Sequence, residues 1–353
     1  MYNNYQIVAN TAAGRRRYMQ WLIPFVVASD IIDRYDIWVN THDSVDIEFF
    51  KRIAAAFPKV QLVWQPDGIV CGNNSINAFY RQCTEEQTIY IKLDDDIVWM
   101  EPDLIEKMVR FRVEHPEYFL VSPLVINNSL STYLLQVHGK LKLDKYYQAM
   151  ATHPVFWKSG EFATQLHHWF LQTQLKTGRY AALHVGPQPM GMTRFSINCI
   201  LWFGSEMKKM NGEVPGDDEE YLSSIYPTRH GLANCWNGDA LAAHFAFFPQ
   251  REQLDKAGVL QQYGKYLSAT WKKDEKMGKV HRLVQEAMQY CADHEESLRQ
   301  IPSPYKRIKE PTRRRFTKPV RRFFKKLAAA IRRGTYRMCH RGEQKYMAEY
   351  LHG

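Results

Sequence analysis

Short apolar runs alternate with amphipathic stretches along the first third of the chain, and the alternation assigns elements. Gln6–Asn10 reads as a strand, and 11–14 turns into a helix carrying Tyr18, Trp21, Leu22 and Phe25 at helical spacing. A second strand, Tyr35–Val39, ends in the polar turn Asn40-Thr41-His42-Asp43-Ser44, and Asp46 is placed to cap a helix from Ile47 to Phe57. Val60–Trp64 gives a third strand, Ser75–Cys83 a helix, and Thr88–Leu93 a fourth strand. A helix over Pro102–Glu114 and a strand at Tyr118–Ser122 follow. Alternating strands and helices imply right-handed crossovers and an α/β fold, a mostly parallel central sheet flanked by helices, with ligands beyond the carboxyl ends of the strands.

The pattern then changes. From Asn127 to Tyr180 aromatics and histidines crowd together, including Tyr133, His138, Trp157, His167, His168, Trp169 and Phe170. Adjacent residues of a helix do not face each other, so His167 and His168 read as core or substrate-wall side chains rather than joint metal ligands. Strand patterning returns over Phe195–Phe203, before a turn and helix at Gly204-Ser205, and a last apolar stretch, Leu241–Phe248, contains His244. Residues 250–299 are helical and charged, and Pro302, Pro304 and Pro311 mark a linker. The expected organisation is a body over 1–250, a helical extension over 251–304 and a basic tail over 305–353.

Composition narrows the classes. The chain has 353 residues, 45% hydrophobic, enough for a sizeable core. No run approaches the ~18 apolar residues of a membrane span, and the start lacks the pattern of a leader. Six cysteines stand scattered without a Cys-x-x-Cys pair, which argues against a zinc site or a disulfide framework. A cytoplasmic protein is expected. The net charge of +10 is unevenly spread, because residues 306–341 hold 15 Lys or Arg and one acid. Subtracting that local +14 leaves about −4 for the rest, so the body is mildly acidic and the tail meets phosphate. Within 319–333, Val320, Phe323, Phe324, Leu327 and Ile331 recur on one side of a helix whose opposite side carries Arg321, Arg322, Lys325, Lys326, Arg332 and Arg333. Such a helix suits an anionic membrane surface, at the inner face of the membrane. A helix docked on the acidic body is the plainer reading, and nucleic acid ranks third because the tail shows no recognition fold.

The chemistry concentrates at Lys92-Leu93-Asp94-Asp95-Asp96. Three adjacent carboxylates at a strand's exit repel one another unless something positive compensates them. Positions 94 and 96 share a side in extended chain while Asp95 points away, and two hard oxygen donors side by side suit Mg²⁺ or Mn²⁺. An acidic turn after a strand is the plain alternative. Downstream, Asp217-Asp218-Glu219 is either a second acidic centre or a solvated helix start, and His244 either a ligand or a core histidine.

Taken in order, these features resemble the nucleotide-sugar glycosyltransferases of the A-type fold, closest to the broad family 2 group, over roughly Gln6 to Pro249. Asn10-Thr11 before the arginines is similar to the first donor-binding turn. The Asn40–Asp46 segment is similar to the family's Asp-Asp-x-Ser-x-Asp turn, with Asn40 in place of its first Asp, and Asp94-Asp95-Asp96 resembles its metal-binding Asp-x-Asp. The resemblance implies a Rossmann-like fold, an Mn²⁺ or Mg²⁺ cofactor, a nucleoside-diphosphate sugar as donor, and a glycan or lipid-linked acceptor in surface polysaccharide or glycoconjugate synthesis. It implies donor contacts from Asn10, Thr11, Asn40, Asp43, Asn74, Asp94, Asp95 and Gly204, the last in a glycine loop near the acceptor. Metal contacts would come from Asp94, Asp96 and His244. The base of an inverting transfer would be Asp218, then Glu219 or Asp217. Trp157 and Trp169 are candidates for stacking on an acceptor sugar. The competing classes are a nucleic-acid-processing enzyme with a two-metal carboxylate cluster, and a non-catalytic membrane- or glycan-binding adaptor.

Overall fold

Central strands buried on both faces are continuously apolar, and Thr88–Leu93 is buried at every position, Lys92 included. The computed structural model describes residues 1–306, except the side chains of 72–74. The expected basic helix of 319–333 lies outside the described residues. Among the described residues nine strands form one sheet: β1 (Gln6–Ala13), β2 (Arg34–Val39), β3 (Val60–Trp64), β4 (Thr88–Leu93), β5 (Ile97–Met100), β6 (Tyr118–Ile126), β7 (Pro187–Gly191), β8 (Cys199–Phe203) and β9 (Ala233–His244). Their order is β3-β2-β1-β4-β8-β6-β9-β5, with β7 also paired to β9. Only β5, β7 and β8 run against the others, so the sheet is mostly parallel, as the alternation implies.

Side chains alternate across this sheet and define two cores. Ile7, Ala9, Ile89 and Ile91 face α1 (Arg16–Ala28), α2 (Ser44–Ala56) and α3 (Leu104–Glu114), together with Val280, Val284 and Cys291 of the helix Glu275–Asp293. Val8, Tyr90, Trp202 and Trp236 face the opposite layer, where Leu166, Phe170 and Tyr263 pack.

Several boundaries differ from the pattern-based reading. β1 continues to Ala13, so Asn10 and Thr11 are wholly buried strand residues and not a donor-binding turn; Thr11 Oγ1 accepts from the Tyr35 hydroxyl at 3.0 Å. The cap of α2 is Asp43, whose carboxylate accepts from the backbone N–H groups of Val45 and Asp46 at 2.9 and 3.2 Å. Asp46 instead takes Arg16 Nη1 at 2.8 Å. Residues 72–82 form 3₁₀ turns rather than an α-helix. Four-residue β5 escapes periodicity because so short an apolar run has no resolvable period.

Gly204 needs a larger correction. β8 is antiparallel to β4, with Leu93 opposite Cys199 and Ile89 opposite Phe203, so Gly204 sits at the far edge of the sheet from Asp94 and is no donor contact. Its role is close packing: a Cβ there would come within 2.0 Å of the Glu85 carbonyl oxygen.

The last described residues return to the sheet. The Tyr305 hydroxyl donates to the Val39 carbonyl at 2.6 Å and accepts from the Gln65 N–H at 3.0 Å, joining the exits of β2 and β3. Lys306 N donates to Gly68 O at 3.1 Å.

Because the obstacle at Gly204 is backbone, Gly204→Ala is expected to destabilise the protein by ~1–3 kcal/mol in denaturant titration. Unchanged stability would refute the packing role.

Candidate functional site

The carboxyl edge of the sheet collects residues from distant parts of the chain. Asp94 follows β4, Gly14 and Arg15 follow β1, Asn40–Asp43 follow β2, and His244 closes β9. The start of antiparallel β8 brings Asn198 to the same edge.

Asp94, Asp96 and His244 each offer a ligand atom, and these atoms lie within 4.8 Å of one another. The cause is a turn rather than strand alternation. β4 ends at Leu93, and the Ile97 N–H donates to the Asp94 carbonyl at 3.1 Å, folding 94–97 back. β5 then pairs with β9, Ile97 opposite His244, and the Phe245 N–H donates to the Asp96 carbonyl at 2.8 Å. His244 Nε2 lies 3.3 Å from Asp96 Oδ1.

The three carboxylates are individually compensated. Asp95 is gripped by Nε and Nη2 of Arg15, while the Gly14 N–H donates to it at 3.0 Å. Asp94 accepts from Lys92 Nζ at 2.6 Å and from Asn198 Nδ2 at 3.0 Å. Asp96 lies 3.0 Å from Arg15 Nη2 and 3.6 Å from Arg251 Nη2. Burial opposes the charge on Asp96, yet Arg15, His244 and Arg251 together hold its carboxyl below the ordinary range. For Asp95 burial prevails over Arg15 and the pKa rises. Burial disfavours the Lys92 ammonium, but Asp94 and Asp218 more than restore it.

The donor set fits a divalent cation. Two carboxylate oxygens suit Mn²⁺ or Mg²⁺, and His244 Nδ1 is buried without a hydrogen-bond partner among the described residues. Asp94 is the more open of the two carboxylates, its side chain 29% exposed against 3% for Asp96.

Of the second acidic group, Asp217 is an exposed N-cap that accepts from the Glu220 N–H, with Arg194 at 3.4 Å. Glu219 is tied to Arg194 Nε at 3.1 Å. Asp218 accepts from the Tyr80 hydroxyl at 3.0 Å and is near enough to Lys92 and Asp94 to feel both charges. Burial raises its pKa, against Lys92 and Tyr80.

Asn40 Oδ1 accepts from Ser75 Oγ at 2.6 Å, while Asp43 is occupied by its cap, with Arg299 3.6 Å away. The Asn74 side chain is outside the description. His167 is core: Nδ1 meets the Tyr263 hydroxyl at 2.9 Å and Nε2 the Phe245 carbonyl at 2.8 Å. Trp157 is part-exposed, its ring 5.0 Å from Phe247, whose ring lies 4.7 Å from His244. Trp169 packs on Phe170 against the core instead.

Nothing local in the sequence marks Asn198, Arg251 or Tyr80, and the partners of Lys92 and Arg15 are set only by the fold.

No known family profile matches the chain, and no curated protein does. Solved structures are similar at low identity. One is GalNAc-T7 with UDP, GalNAc and Mn²⁺, with 9% identity, TM-score 0.43, and coverage of 84% of this chain and 58% of that one. Another is a CMP:2-keto-3-deoxy-manno-octonic acid synthetase complexed with CTP, at 10% identity and TM-score 0.39, covering 72% and 98%. A third, glucosyl-3-phosphoglycerate synthase from Mycobacterium tuberculosis with Mn²⁺, UDP and phosphoglyceric acid, has 13% identity and TM-score 0.28, covering 48% and 64%.

Buried His167 has its pKa pressed down to about 3 by desolvation. Folding therefore excludes a proton that the unfolded chain binds below its ordinary pKa of ~6.5. The stability from this residue is complete above ~6.5 and should fall by ~1.4 kcal/mol per pH unit from there down toward pH 3. Denaturant titrations across that window should show a shallower acid slope in His167→Gln; an unchanged slope would place the acid sensitivity elsewhere.

Proposed function

We propose that the chain is a metal-dependent glycosyltransferase that moves a sugar from a nucleoside-diphosphate donor with inversion. The observation that supports this most directly is the convergence of Asp94, Asp96 and His244 within 4.8 Å at the carboxyl edge of the sheet, with Asp218 nearby. When bound, a divalent cation there would neutralise charge building on the diphosphate. Asp96, His244 and the more exposed Asp94 would hold it. Lys92 holds Asp94 in place.

Asp218 is the base. Its raised pKa makes it a better proton acceptor than an ordinary carboxylate, and Tyr80 orients it. It removes the proton from the acceptor hydroxyl as that oxygen bonds to the anomeric carbon, and the bond from that carbon to the diphosphate oxygen breaks with its electrons. Attack opposite the leaving group inverts the configuration. Asn40 and the 3₁₀ turns beside it receive the nucleoside, and Trp157 offers an aromatic face to the acceptor.

Among the described residues no helix is long and apolar enough to cross a membrane. We assign membrane attachment, with a lipid-linked acceptor, to the basic segment 319–333. Because Tyr305 anchors β2 and β3, the informative truncation is after Lys306; it should abolish pelleting with anionic vesicles while leaving transfer to a soluble acceptor intact. Retained pelleting would refute the anchor.

The test of the site is a thermal-shift screen of nucleoside diphosphates with and without Mn²⁺, followed by product analysis with the sugar nucleotide that binds. Asp96→Ala should abolish the Mn²⁺-dependent shift and transfer while remaining folded. Asp218→Asn should keep nucleotide binding and lose ~10²–10⁴ in kcat. Full transfer in Asp96→Ala, or a nucleotidyl rather than glycosyl product, would overturn the proposal.

A further inference from the structure

Arg251 stands outside the stretch that carries the resemblance, yet its guanidinium reaches the centre of the site. Nη2 lies 3.6 Å from Asp96 Oδ2, too long for a hydrogen bond, and Nε is buried with no hydrogen-bond partner among the described residues. Arg15 Nη2 contacts the same oxygen at 3.0 Å, and its Nη1 is likewise buried without a partner among the described residues. Two guanidiniums thus share one carboxylate oxygen, each with an unused buried donor. Such donors are costly to leave unmade, and a forked guanidinium is suited to bidentate contact with phosphate. One carboxylate cannot satisfy both forks.

The two arginines differ in freedom. Arg15 is fixed by its double contact with Asp95. Arg251 begins a short helix, Arg251–Lys256, has its side chain 31% exposed, and rests over the ring of the exposed Phe248 at 5.7 Å. Its loose contact with Asp96 leaves it able to turn.

We propose that Arg251 is a diphosphate-binding residue, the movable arm of a clamp whose fixed arm is Arg15. When a cation occupies Asp96, the attraction holding Arg251 to that carboxylate is offset, and its fork turns to the anion. Inorganic pyrophosphate carries the recognised chemistry without nucleoside or sugar. The inference rests on the donor-site reading above for the identity of the anion, while the clamp itself can be tested apart from sugar transfer.

The experiment is calorimetric titration of the full chain with inorganic pyrophosphate and, separately, orthophosphate, each in EDTA and in Mn²⁺. Wild type should bind pyrophosphate more tightly than orthophosphate. Arg251→Gln should lose at least about tenfold in pyrophosphate affinity in Mn²⁺, equivalent to ~1.4 kcal/mol, and less in EDTA, where Asp96 retains the wild-type arginine. Arg251→Lys should recover only part of it, since an ammonium keeps the charge but not the fork. Melting curves with Mn²⁺ confirm that each variant is folded with its metal ligands in place. Equal pyrophosphate affinity in wild type and Arg251→Gln, both still stabilised by Mn²⁺, would overturn the clamp and leave the metal site standing. Arg251-dependent pyrophosphate binding without any turnover of sugar nucleotides would support the clamp and remove the glycosyltransferase reading instead.

Discussion

Everything at the carboxyl edge depends on compensating three consecutive carboxylates in a largely buried place. Repulsion among them would otherwise be relieved by protonation, and a protonated aspartate is a poor ligand for a hard cation. The chain separates the three charges by direction. Asp95 is turned onto Arg15, Asp94 is held by Lys92 and Asn198, and Asp96 faces Arg15, His244 and Arg251. Lys92 can itself be buried because its ammonium also donates to the Ile197 carbonyl at 3.1 Å. Local charge balance thus precedes any ligand, and it sets which oxygens face outward.

That balance rests on strand register. β8 enters antiparallel beside β4, which delivers Asn198 opposite the triplet; the Asp94 N–H donates to the Asn198 carbonyl at 2.9 Å, while the side chains meet at 3.0 Å. Asn198 is in turn fixed by Asn128, whose Nδ2 donates to its Oδ1 at 3.0 Å while its own Oδ1 caps the following helix. A slip of one residue in β8 would turn Asn198 to the other face and leave Lys92 alone against Asp94. The β5–β9 pairing performs the same service for Asp96 and His244.

The sequence announced what is local. Apolar runs gave β2, β3 and β4 nearly to the residue, and the triplet declared itself as a cluster needing compensation. The mechanism of convergence was not readable, because alternation beyond Leu93 assumes a strand that the turn at Asp94–Ile97 has already ended. Asn10 and Thr11 misled for a related reason: polar residues inside a buried strand look like a turn until tertiary burial is known. Gly204 is a case of direction, since no local signal distinguishes a strand entering the site from one leaving it. Arg251 looked like one charge in a charged helical segment; only folding brings it to Asp96 from 155 positions away in the chain.

Tyr305 has a mechanical consequence. A single phenolic oxygen bridges the backbones of two neighbouring strands at their exits, and Lys306 adds a bond to the loop beyond β3. Tension applied to the chain beyond this point is therefore borne first by the ends of β2 and β3, the floor on which Asn40 and its hydroxyl partner Ser75 stand. A pull from outside the domain would be felt at that floor before any helix yielded.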